Sequence, residues 1–193
     1  MDVYDFDGTL YCGDSTVDFV RHCLKRYPRI MRTLPRTGVA ALACLGMHII
    51  EKTQFKAALY RFLPLIPDVG FEVACFWKTH ESKIGGPCEP KPGDLVISAS
   101  PEFLLKPLEK KLNITVIASK VDINTGKYDG LNCYHAEKVK LFRELYTDGK
   151  IDTFYSDSYS DEPLALLADK AYIVDGDTLI DWDYTHHKKN LRT

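Results

Sequence analysis

Apolar and polar positions change rhythm near residue 93. Before that point the spacing is helical, apart from one short apolar run at residues 2–6 that reads as a strand. Residues 15–27 repeat apolar side chains at Val17, Phe19, Val20 and Leu24, with Ser15 or Thr16 placed as N-cap. Pro28 and Pro35 break the pattern. Residues 38–50 form an uncharged, apolar helical run, and further helical patterns span 53–63 and 69–82. The stretch 85–93, with three glycines and three prolines, reads as a linker. Short strands then alternate with helices. The strands are 95–98, 114–118, 151–155, 171–174 and an edge strand at 178–182. The helices are 101–112, 136–146 and 161–168, the first with Pro101 in its opening turn and Ser100 as cap candidate. Asn124-Thr125-Gly126 marks a hairpin turn within 121–132.

Strands that alternate with helices predict an α/β fold, a parallel sheet between helical layers. Such sheets bind ligands beyond the carboxyl ends of their strands. Asp5, Asp7, Ser98 and Asp157 all fall at such ends. Residues 13–88 interrupt the alternation with helices only, so they read as a helical cap inserted into a core made of 1–12 and 89–193.

At 193 residues the chain suffices for one compact core with a modest insertion. Its net charge of -2 offers no global attraction to nucleic acid. Six cysteines without a CxxC pair read as reduced thiols rather than a zinc site. Asp2, Asp5 and Asp7 stand where a secretory signal would carry cations, so the expected location is cytoplasmic.

The chemistry concentrates in four strings. Asp5-Phe6-Asp7-Gly8 sets two carboxylates at the end of a buried strand, where uncompensated charge is not tolerated. Oxygen ligands of this kind suit Mg²⁺. Ser98 precedes a helix start, either to hold phosphoryl oxygens with neighbouring backbone N–H groups, among them that of Ala99, or to cap the helix. Lys138 lies early in a helix, as a charge-neutralising group or a solvated one. Asp157 and Asp161 follow a strand and suit a metal-gripping loop, although Asp161 equally suits a helix cap.

Together these strings, opening on Asp5-Phe6-Asp7-Gly8-Thr9-Leu10, resemble the ordered motifs of the haloacid dehalogenase superfamily of phosphohydrolases. The resemblance implies a Rossmann-like core and Mg²⁺-dependent hydrolysis of a phosphomonoester through an aspartyl-phosphate. Asp5 would be the nucleophile and Asp7 the general acid, then base. Ser98 and Ala99 would bind the phosphoryl group, and Lys138 would neutralise it. The metal set would be Asp5, Asp7 through its backbone carbonyl, Asp157 and Asp161. A helical insertion after the first motif resembles the phosphoserine-phosphatase-like branch, in which Asp14 would meet substrate; a helix cap is the other reading of Asp14.

The strings Tyr155-Ser-Asp-Ser-Tyr-Ser-Asp-Glu-Pro-Leu164 and Ile97-Ser-Ala-Ser-Pro101 also resemble the bacterial phosphatidylglycerophosphatase C group, which implies a lipid headgroup as substrate. Six basic residues (Arg21, Lys25, Arg26, Arg29, Arg32, Arg36) lead into the apolar run 38–50. Residues 21–50 therefore suit peripheral contact with the inner face of a membrane, while an apolar helix buried in the cap fits the same pattern. The run is too short to span a bilayer, which needs roughly 20 residues. The expected partner is a phosphorylated small molecule or lipid headgroup.

Overall fold

The computed structural model describes residues 1–32 and 60–185. Strand β1 (Val3–Tyr4) is followed by helix α1 (Ser15–Arg26), a 3₁₀ turn at Pro28–Arg32, another at Tyr60–Leu65, and helix α2 (Val69–His80). Then come β2 (Leu95–Pro101), the helices α3 (Glu102–Leu105) and α4 (Pro107–Leu112), and β3 (Thr115–Ser119). The hairpin β4 (Val121–Asp122) and β5 (Lys127–Tyr128), helix α5 (Ala136–Leu145), β6 (Ile151–Ser156), helix α6 (Glu162–Ala165), β7 (Ala168–Asp175) and β8 (Thr178–Asp181) complete it.

One sheet runs β3-β2-β1-β6-β7-β8. Every neighbouring pair is parallel except β7–β8, the antiparallel edge. The α/β class with a mostly parallel sheet follows, as the alternation predicts. Period-two alternation divides the strands between two cores. Tyr4, Val96, Val116 and Val174 face one side, where Phe19 of α1, Phe76 of α2, Leu104 and Leu108 pack. Val3, Leu95, Ile97, Phe154 and Ile173 face the other, against Phe142 of α5 and Leu164 of α6. The described helices between β1 and β2 thus share a core with the sheet.

Several boundaries differ from expectation. The first strand keeps two of five expected residues: Asp5 N–H still reaches the Tyr155 carbonyl, but the chain turns from Phe6, whose carbonyl accepts from Thr9, Leu10 and Tyr11. The N-cap of α1 is Asp14, as the cap reading of that residue expects, rather than Ser15 or Thr16; its Oδ1 accepts from the Val17 N–H at 2.9 Å. The helix expected over 101–112 is broken, because Pro107 lacks a backbone N–H and opens a new segment instead of continuing the old one. Ser100 does not cap it: Pro101 occupies the cap position and the Ser100 hydroxyl goes elsewhere. The helix expected over 161–168 is a single turn, since β7 already begins at Ala168. The apolar run 38–50, and the helical pattern 53–63 up to residue 59, lie outside the described residues. Among the described residues no helix is long and apolar enough to cross a membrane.

Candidate active site

The loop after β1 is wound tightly. The N–H groups of Thr9, Leu10 and Tyr11 all point at the Phe6 carbonyl, and Gly8 N–H reaches the carbonyls of Tyr11 and Gly13. Gly8 stands at φ +75, and a Cβ there would lie 2.3 Å from Asp157 Oδ2. The absent side chain is therefore what lets the Asp157 carboxylate approach the loop of Asp5 and Asp7. The Asp157 N–H is held by Thr9 Oγ1 at 2.9 Å.

Asp5 and Asp7 are held in opposite ways. Lys138 Nζ donates to Asp5 Oδ1 at 2.8 Å and to Asp161 Oδ2 at 2.6 Å. Lys138 is about 1% exposed, so this is a buried triad. Burial alone would depress the ammonium, but the charges of Asp5 and Asp161 outweigh it and hold Lys138 above its usual range. Among the described residues Asp7 meets no cation. Its Oδ1 accepts from the Ser15 N–H at 2.7 Å and its Oδ2 from the Ser100 hydroxyl. Burial and then the charge of Asp14 push the Asp7 carboxyl up to about 6, against the pull of the Ser100 and Ser15 hydrogen bonds. Two carboxylates two residues apart thus have different partners: a buried ammonium for Asp5, a backbone N–H and a hydroxyl for Asp7.

Asp157 is pushed up to about 7 by burial, then by Asp5 and Asp161. Asp161 also accepts from Ser156 Oγ at 2.9 Å through Oδ2, whereas its buried Oδ1 has no partner among the described residues. It makes no side-chain cap bond to α6. Ser98, buried in β2 just before the strand becomes irregular, accepts the Ser100 N–H at 3.1 Å. That leaves the Ser98 hydroxyl proton free to donate to another group. Lys140 lies on the surface beside Glu137 and Glu144.

Asp5, Asp7, Asp14, Ser98, Ala99, Lys138, Asp157 and Asp161 all line one cavity of about 360 Å³. Four further residues line it that the sequence reading passed over: Asn132, Tyr134, Ser158 and Ser160. The two serines stood within the acidic motif, and Asn132 and Tyr134 just ahead of Lys138. No spacing rule marked either pair. A larger cavity of about 750 Å³ opens beside the β4–β5 hairpin, but no member of the Asp5–Lys138–Asp161 triad lines it. Convergent titratable groups, rather than volume, single out the smaller one.

Whether these residues fit a cation can be judged from the donors. Among the described residues no three His, Cys, Asp or Glu side chains gather as a complete metal cage. A magnesium ion needs fewer, because it keeps waters and takes substrate oxygens. The unpartnered Asp161 Oδ1 and the mutually repelling Asp5, Asp157 and Asp161 form a negative pocket that such an ion would neutralise. Both Asp7 side-chain oxygens are already engaged, which leaves only its backbone carbonyl for a cation.

The family model for haloacid dehalogenase-like hydrolases matches residues 3–166. Comparison with curated proteins finds no match. Among solved structures, the chain resembles a Bordetella pertussis Tohama I protein of unknown function, with TM-score 0.71 and 15% identity over 89% of this chain and 87% of that one. It also resembles apo phosphoserine phosphatase, with TM-score 0.52 and 14% identity over 88% and 82%. A phospho-aspartyl intermediate analogue of phosphoserine phosphatase gives TM-score 0.51 and 16% identity over 88% and 83%. At these identities the likeness is one of fold.

Proposed function

The chain belongs to the haloacid dehalogenase-like hydrolases, and from that premise we propose a phosphomonoester hydrolase that works through an aspartyl-phosphate on Asp5. The observation that carries this reading is the contrast between its paired carboxylates. Asp5 lies against the buried Lys138 ammonium, which balances the charge of a carboxylate nucleophile. Asp7 meets no cation among the described residues and has a proton affinity raised toward neutrality, as a proton carrier must.

In the first step a free Asp5 oxygen attacks phosphorus. The ester P–O bond breaks, its electron pair goes to the leaving oxygen, and that oxygen takes the proton from Asp7. In the second step water attacks the phosphorus while Asp7 takes a proton from it. The bond to Asp5 breaks with its electron pair returning to the carboxylate, and inorganic phosphate leaves. The Ser98 hydroxyl and the Ala99 backbone hold phosphoryl oxygens. Lys138 balances charge on Asp5 throughout. Asp5, Asp157 and the Asp7 carbonyl would hold Mg²⁺, with Asp161 beside them. When bound, the ion supplies charge neutralisation at the phosphoryl oxygens.

We propose residues 13–88 as a helical cap and the cytoplasm as the location. Two substrate classes fit: a small soluble phosphomonoester such as phosphoserine, and a lipid headgroup phosphate. Two of the six cations that favour a lipid surface are already engaged within the fold. Arg21 pairs with Asp18, and Arg26 with Glu72. This supports the soluble class.

The test is phosphate release from phosphatidylglycerophosphate, phosphoserine and p-nitrophenyl phosphate, with Mg²⁺ and with EDTA, by wild type and Asp5→Asn. Metal-dependent release that Asp5→Asn abolishes is expected. Wild-type rates in that variant would sink the mechanism, and the preferred ester decides between the substrate classes.

A further inference from the structure

Strand β2 is irregular at the site. Ser98 pairs with Ala118, but the next pair joins Pro101 to Ser119, so two extra residues are looped out. Bulges of this kind re-aim side chains next to functional sites. Here the bulge carries Ser100, which is 2% exposed, across to the β1–α1 loop, where its hydroxyl donates to Asp7 Oδ2. With that proton committed, Ser100 can only accept from Thr16 Oγ1, 3.0 Å away. Thr16 in turn lies 3.5 Å from the Tyr60 hydroxyl, so the donors run Tyr60, Thr16, Ser100 toward one oxygen of Asp7. The other oxygen is fixed by the Ser15 N–H at 2.7 Å.

From this geometry we infer that Ser100, seated by Thr16, is the positioning residue that aims the Asp7 carboxyl at the leaving-group oxygen. The inference rests on the phosphatase reading above and adds to it the device that orients its proton carrier. Two donors from two different elements fix both side-chain torsions of Asp7. One donor comes from the β2 bulge; the other, with Thr16, comes from the first turn of α1. The seating of α1 on the sheet thereby controls the aim of the acid.

The consequence is selective. An alkyl phosphate expels an alkoxide, which must take the Asp7 proton as the P–O bond breaks. A nitrophenyl phosphate expels a stabilised phenolate and needs no proton. A fault in the aim of Asp7 therefore harms the alkyl ester far more. A residue that merely packs, or that binds phosphate, harms both equally.

The experiment measures kcat/KM for phosphoserine and p-nitrophenyl phosphate, since this parameter reports the step in which the ester bond breaks. Ser100→Ala is expected to lower the alkyl value by about 10², and to shift the ratio of the two esters at least tenfold toward the nitrophenyl ester. Thr16→Val, which keeps shape and removes the hydroxyl, should shift the ratio in the same direction, and Thr16→Ser should restore it. Adding Ser100→Ala to Asp7→Asn should cost nothing further. Equal losses on both esters, or additive losses in the double variant, would overturn the inference. Asp5→Asn in the same assay keeps the two readings apart. If it retains activity, the aspartyl-phosphate reading fails; if it is dead while Ser100→Ala shows no selectivity, only the role of Ser100 fails.

Discussion

Single residues carry most of the chemistry and some of the strain. His135 precedes helix α5 at φ 53 and ψ -125, an uncommon conformation for a residue with a side chain. Glu137 N–H bonds to the Tyr134 carbonyl at 3.1 Å, so His135 takes the first central position of a tight turn of the kind that prefers glycine. Such a residue costs about 1–3 kcal/mol, part of which glycine returns as chain entropy. His135→Gly should therefore stabilise the fold by about 1 kcal/mol, read as a higher urea midpoint; a lower midpoint would show that the imidazole holds the turn. The acidic motifs were legible in the sequence because each is a short local string. The partner of Asp7 was not. Ser100 looks like a helix cap until the bulge in β2 turns it toward a loop more than ninety residues earlier.

At the scale of elements, α1 is fastened at both ends by buried charge. Glu72 of α2 is fully buried and accepts from Arg26 at 2.7 Å, Tyr27 at 2.8 Å and His22 at 3.1 Å. Nearer its start, Asp18 accepts from Lys83 at 2.6 Å and Tyr11 at 2.9 Å. Burial alone would raise the Asp18 carboxyl, but the Lys83 and Tyr11 hydrogen bonds outweigh it and hold the group below its usual value. A lowered folded value means stability that is present above the unfolded value near ~4 and lost as pH falls toward the folded one. Asp18→Asn should therefore unfold with a flatter pH dependence below about pH 4 than wild type. Parallel curves in urea titrations across that range would refute the assignment. Element types were legible from periodicity, including the β4–β5 hairpin and the β8 edge. The broken helix at Pro107 was not, because an apolar pattern carries across a one-residue interruption that a missing N–H does not.

For the whole molecule, the sheet order gathers the candidate site. Placing β1 between β2 and β6 brings the ends of three strands to one point, and with them Asp5, Ser98 and Asp157. That convergence followed from alternation alone, since ligands gather at the carboxyl ends of parallel strands. The negative pocket there predicts linkage between metal and stability. Mg²⁺ at about a hundred times its Kd should stabilise the fold by about 2.7 kcal/mol, roughly 5–10 °C in Tm. Asp157→Asn should lose most of that shift while melting normally without metal; an undiminished shift would place the ion elsewhere.

The same strand order constrains how the molecule comes into being. Val3 pairs with Leu95 on one side and Phe154 on the other. The middle of the sheet is therefore translated long before either of its neighbours. During synthesis, β1 has neither of its strand partners until β2, and then β6, has been made. Contacts this distant along a chain slow folding. Asp5 cannot meet Lys138 until α5 has been synthesised, nor Asp157 until β6 has. Under the proposed mechanism a growing chain therefore lacks the complete site until residues 138–161 have been made.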